Sequence, residues 1–101
     1  MSEIEGQRKT VEHLPSQKSN MVSEELTRIL AMLRDVSPRD ARITFEFDGK
    51  LRVHIDVRNG EDVVGLEKML PTLAMGMFHD IDVGATPHHP FFHRISAVVD
   101  R

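Results

Sequence analysis

The chain has no cysteine, no tryptophan and no tyrosine, and charge of neither sign dominates it. Without cysteine there is no disulfide framework, no thiolate zinc site, no iron–sulfur cluster and no thiol nucleophile. With phenylalanine as the sole aromatic, platforms for stacking nucleic-acid bases are scarce. The longest apolar region, residues 63–78, is interrupted by Glu67, Lys68 and Pro71. It falls short of the roughly 20 apolar residues that a membrane-spanning helix needs. Residues 1–20 are polar and mixed in charge, so no secretory signal is expected and the expected location is the cytoplasm.

Basic charge is not in excess either. Thirteen Lys and Arg stand against sixteen Asp and Glu, for a net charge of −3. Nucleic-acid binders usually carry the opposite balance, because Lys and Arg release phosphate counterions. The six glycines are scattered, and they form neither a dinucleotide fingerprint nor a phosphate loop. No serine lies in a Gly-x-Ser-x-Gly elbow, and no His-Glu-x-x-His motif is present. Carboxylate pairs such as Asp80 with Asp82, or Glu46 with Asp48, are what chance provides among sixteen acids. No cofactor and no catalytic role are expected.

At 101 residues the chain is long enough for one core. A domain of this size buries about 65% of its unfolded surface and needs no covalent staple. In residues 1–20, Ile4, Val11 and Leu14 stand alone among polar side chains. Too little apolar surface is available there to offset ordering entropy, so a flexible N-terminal arm is expected. Residues 21–101 are expected to form a single α+β domain.

The first helix has Ser23 as a candidate N-cap, with Glu24 and Glu25 on the first turn where the helix dipole favours acid. Leu26, Ile29, Leu30 and Leu33 then make one apolar stripe. Pro38 disfavours helical geometry at Ser37, so the helix should end there. A turn over residues 37–40 follows, with proline at its second position.

Next comes alternation with a period of two. Ile43, Phe45 and Phe47 interleave with Arg42, Thr44 and Glu46; beyond Asp48-Gly49-Lys50, Leu51, Val53, Ile55 and Val57 interleave with Arg52, His54, Asp56 and Arg58. This predicts a β-hairpin. A two-residue loop would set Phe45 against Arg52 and mix the two faces. A three-residue loop pairs Phe47 with Leu51, Phe45 with Val53 and Ile43 with Ile55. It also sets Glu46 opposite Arg52 and Arg42 opposite Asp56, two cross-strand charge pairs. The three-residue register is therefore predicted, with a polar and solvated outer face.

A second helix should begin after Asn59-Gly60, with Glu61 and Asp62 on its first turn. Val63, Leu66, Met69, Leu70, Leu73, Met77 and Phe78 carry its period. Pro71 lacks an N–H and clashes with the preceding turn, so a break near Leu70 is expected, with a short segment reaching Gly76. Met69, Met75 and Met77 are expected to fill the core. Two further strands, 80–83 and 94–99, should flank a loop rich in Pro and His.

The resulting order is α-β-β-α-β-β: a small antiparallel sheet with two helices packed on one face. Leu26, Ile29, Leu30 and Leu33 map onto Leu66, Met69, Leu70 and Leu73 at an offset of 40, and Ile43 maps onto Val83 at the same offset. A duplicated αββ unit would produce this echo.

Three functions are compatible with these residues. The leading expectation is a small binding or regulatory module acting through protein contacts, with another protein or a second copy of the chain as partner. Phe91 and Phe92 are its candidate contact residues: two adjacent aromatics after Pro90, capping the core or anchoring a partner. A metal-binding protein or metal-dependent enzyme is the alternative, with His79, His88, His89 and His93 as candidate ligands. Pro87 and Pro90 preclude a helical ligand pair there. A nucleic-acid-binding regulator using Arg34, Arg39, Arg42, Arg52 and Arg58 is the third.

Overall fold

The computed structural model describes residues 16–100, with side chains from Ser23 onward. Helix α1 spans Ser16–Val36, β1 Arg42–Phe47, β2 Leu51–Val57, α2 Gly60–Met69, β3 Phe78–Ala85 and β4 His93–Val99. The protein is thus α+β in the expected order. Helix α1 includes Ser23 rather than starting from it, and it takes in the last five residues of the stretch read as an arm. The remainder of that arm, residues 1–15, lies outside the described residues. The chain divides into two compact units, 1–32 and 33–101, the first holding most of α1 and the second everything after its last turn. Among the described residues no helix is long and apolar enough to cross a membrane.

In the first unit, Ile29 is buried. In the second, Leu33 is buried, and α1 gives way to a turn closed by Ala41 N–H donating to the Pro38 carbonyl at 3.0 Å. Proline therefore takes the first position of this turn rather than the second, and the turn begins one residue later than expected. Arg34 Nη1 donates to the Ala41 carbonyl at 2.7 Å and ties the end of α1 to the start of β1.

All four strands are antiparallel, in the order β1-β2-β4-β3. The first hairpin has the register that parity demanded: Phe47 faces Leu51, Phe45 faces Val53, Ile43 faces Ile55, Glu46 faces Arg52 and Arg42 faces Asp56. Gly49 turns the loop with φ of +88°, a left-handed conformation that glycine adopts without steric cost. The two central strands supply the core. Leu51, Val53, Ile55 and Val57 of β2 meet Ile95, Ala97 and Val99 of β4, all at most 4% exposed. Helix α2 covers this layer with Val63, Leu66 and, just beyond its end, Leu70. Each fully buried Val, Leu or Ile is worth about 1.5–3 kcal/mol.

Pro71 ends α2 as expected: a 3₁₀ segment runs Leu70–Met75, and Gly76 caps it at φ +84°. Proline is tolerated because the first turn of a helix leaves its N–H groups unpaired. Ala74 and Met75 also adopt positive φ, so the chain leaves the helical path before residue 77. Two expectations fail for that reason. Phe78 is the first residue of β3 rather than a helical position, and Met75 is fully exposed rather than core, with Met69 partly exposed too.

The internal echo survives in the sheet. Ile43–Ile55 and Val83–Ile95 are equivalent pairs, as are Arg42–Asp56 and Asp82–Ser96, each second pair lying 40 residues on. Ile55 also faces Ile95, so the β2–β4 ladder is symmetric about that pair, and a local pseudo-two-fold axis relates the hairpins. The helices do not keep the same offset. Ile29 and Leu33 are buried on α1, and Leu66 and Leu70 on the second helical stretch, which is an offset of 37.

Candidate functional site

The face of the sheet away from α2 carries the even-numbered side chains of β1, β2 and β4. It was expected to be solvated throughout, and at two positions it is not: Val98 of β4 is 5% exposed and Asp56 of β2 is 3% exposed. Arg94 grips its carboxylate with both arms of the guanidinium, Nε to Oδ1 at 2.8 Å and Nη2 to Oδ2 at 3.1 Å. Thr86, buried in the β3–β4 connection, donates its hydroxyl to Oδ1 at 2.9 Å. Burial pushes the Asp56 carboxyl up, but the hydrogen bonds from Arg94 and Thr86, with the charges of Arg94 and Arg42, outweigh it and hold the group below the ordinary carboxylate value. The same hydrogen bond raises Arg94 against the effect of burial. A bidentate Arg–carboxylate pair satisfies both partners geometrically, so this cluster pins the β3–β4 connection to β2.

Beside it runs a second polar chain. His54 Nε2 lies 2.7 Å from Glu46 Oε1, and His54 Nδ1 lies 2.7 Å from Ser96 Oγ. A carboxylate only accepts, so Nε2 carries the hydrogen and a neutral imidazole accepts from the Ser96 hydroxyl at Nδ1. Hydroxyl, imidazole and carboxylate in sequence are the parts of a nucleophile relay. Acyl transfer further needs free N–H donors for the developing oxyanion. Ser96 sits in the middle of β4, which pairs with β2 on one side and β3 on the other, so its neighbouring N–H groups serve the sheet. The chain of contacts links three strands instead.

At one end of the sheet the β3–β4 connection, residues 86–92, folds as consecutive turns. His89 N–H donates to the Thr86 carbonyl at 3.2 Å, and Phe92 N–H to the His89 carbonyl at 3.1 Å. His88 is held at φ +65°. The two aromatics part company here. The half-buried Phe92 ring carries the guanidinium of Arg58 at 5.2 Å and that of Arg42 at 5.9 Å. Phe91 points outward, 84% exposed. An aromatic this exposed on a connection anchored by Thr86, Phe92 and two backbone hydrogen bonds is held out rather than left loose.

The histidine segment does not come together. Among the described residues no three His, Asp or Glu side chains form a group that could hold a metal ion. His79 pairs with its neighbour Asp80 at 3.4 Å on β3, His88 and His89 lie in the connection, and His93 opens β4 opposite Ala85. Of the arginines, Arg42 and Arg58 are brought together over the Phe92 ring. Arg34 bonds to Ala41, Arg52 pairs with Asp48 at 3.5 Å, Arg58 with Asp40 at 3.4 Å, and Arg42 lies over Phe92. Arg39 sits in the turn before β1.

Sequence reasoning placed Phe91 among the candidates and missed Thr86, Arg94 and Ser96. Their grouping needs the β2–β4 pairing, which joins residues about 40 apart and leaves no local signature. No protein-family model matches the chain, and no characterised protein or solved structure is significantly similar to it.

Proposed function

We propose that this chain is a small cytoplasmic binding module that acts through protein contacts, with the β3–β4 connection as its contact element and Phe91 as the anchor. The observation that carries the proposal is the exposure of Phe91, at 84%, on a connection pinned from below. Interface hot spots are rigidly presented aromatics that fill a pocket on the partner. Fixing the side chain beforehand lowers the ordering cost of association. The guanidinium groups of Arg42 and Arg58 on the adjacent ring favour a pocket with acidic groups at its rim. The cytoplasmic location expected from the sequence belongs to the same proposal.

A photo-crosslinking residue at position 91, with position 64 as the exposed control on α2, tests this in extract of the source cells. A distinct protein adduct from 91 and none from 64 is the expected result. Equal labelling from both sites, or none, would end the proposal. Phe91→Ser should weaken binding of the captured partner by about tenfold or more and leave the unfolding midpoint nearly unchanged, since the side chain is exposed.

A further inference from the structure

The sheet has two edges among the described residues, β1 and β3, and they differ. Edge strands offer unpaired backbone groups to a second chain, and proteins commonly blunt them with bulges, glycine or charge. β3 is blunted in all these ways. Its register shifts between His79 and Asp82, Asp80 takes φ +52°, Gly84 lies within the strand and Asp82 is exposed. β1 carries exposed Arg42 and Glu46 but neither a bulge nor a glycine. Its six residues RITFEF pair with β2 without a shift, and they include no glycine, proline or lysine.

We infer that the chain forms a two-fold dimer in which β1 pairs antiparallel with β1 of a second copy, Thr44 facing the partner's Thr44 across the axis. Two-fold pairing must keep like faces together, so the axis passes through a facing pair of identical residues. Three centres lie well inside the strand. Centring on Ile43 sets Arg42 against the partner's Thr44, and centring on Phe45 sets Glu46 against the partner's Thr44; neither joins opposite charges within the six residues of the strand. Centring on Thr44 places Arg42 opposite the partner's Glu46 twice, once on each side of the axis. Opposite charges directly across an antiparallel pair are favourable, and like charges are not. Glu46 holds His54 through Oε1, and a carboxylate has a second oxygen to accept from the partner's Arg42. On the other face the same register packs Ile43 against the partner's Phe45, and both Ile43 and Phe45 are only half-buried within the chain. The chain already makes one junction of this kind, the β2–β4 ladder symmetric about Ile55 and Ile95. The dimer would continue the four-stranded sheet into one of eight strands.

The absence of cysteine makes the test direct. Facing residues of an antiparallel pair have Cα atoms about 4.5–5.5 Å apart, within the range a disulfide spans. Thr44 is exposed, so Thr44→Cys introduces a single thiol without disturbing the core. Under mild oxidation at micromolar concentration it should become mostly covalent dimer, while the hairpin-loop control Asp48→Cys stays mostly monomer. Equal dimer fractions in the two variants, or none in Thr44→Cys, would overturn the inference. Charge exchange gives a second reading. Arg42→Glu and Glu46→Arg should each self-associate about tenfold more weakly by light scattering, and an equimolar mixture should regain dimer, because both contacts then join opposite charges. Two folded variants that fail to associate on mixing would also overturn it. If circular dichroism shows either variant unfolded, the disulfide result decides alone. Neither experiment involves Phe91, so the dimer stands or falls separately from the contact proposed at residue 91.

Discussion

The two hairpins pair their strands in equivalent registers yet are finished differently. In the first, Asp48-Gly49-Lys50 closes β1 onto β2, and every facing pair is in step. In the second, residues 86–92 replace the tight loop, and the register slips between His79 and Asp82. The difference separates two tasks. A short loop with glycine in the left-handed region fixes register with little else to do. A longer connection must be held down by something outside itself, and Thr86 and Phe92 do this by reaching Asp56, Arg42 and Arg58 of the first hairpin. The regular hairpin thus serves as the platform on which the irregular one is mounted, and the exposed aromatic belongs to the irregular one.

The sharpest way to break this arrangement is to remove the tie. Arg94→Ala strips the bidentate partner from a carboxylate that is 3% exposed, and leaving a buried charge without its partner costs about 3–5 kcal/mol. Denaturant unfolding should show a loss of that size. Acid tests the same tie with a definite sign. Asp56 is held below its ordinary value in the folded chain, so its contribution to stability is complete above the unfolded pKa of about 3.9. It is lost as pH falls from there through the lower folded value, because the unfolded state then binds more protons. Unfolding free energies measured down that range should fall in the native protein, and Asp56→Asn should flatten that part of the curve.

Smaller effects separate the two loops and the two edges. Gly49→Ala meets no atom within 4 Å but must adopt φ +88°, so it should cost about 1–2 kcal/mol. The loss would come from backbone conformation alone, which tests whether the tight loop carries the register of the first hairpin. Val83, on the outer β3 strand, is 42% exposed whereas Ile95 opposite it is fully buried. Val83→Ala should therefore change the unfolding free energy by about 0.5 kcal/mol or less. A loss of several kcal/mol at Val83 would mean that the second hairpin is as closely covered as the first.

Much of the architecture was legible in the residues because its causes are local. Alternation and face parity selected the register of the first hairpin, down to Arg42 opposite Asp56. Pro71 located the break after Met69, since a missing N–H acts on its own turn. Periodicity failed at Met75 and Phe78, where positive φ at Ala74, Met75 and Gly76 takes the chain off the helical path. Ser23 misled as a cap because nothing local stops α1 from extending back to Ser16. Of the candidate contacts, the Phe91-Phe92 pair was visible as two adjacent aromatics, but which one faces solvent was not.

By itself, then, the sequence determined the elements, their order and the internal pairing of the first hairpin. Those follow from period, parity and backbone chemistry over a few residues. Only the tertiary structure decided that β2 and β4 lie side by side, that Asp56 is covered by Thr86 and Arg94, and that Phe92 is held while Phe91 is exposed. Each of these depends on residues about 30–50 positions apart being brought together. Burial and charge pairing at that range are properties of the packed chain, not of any segment within it.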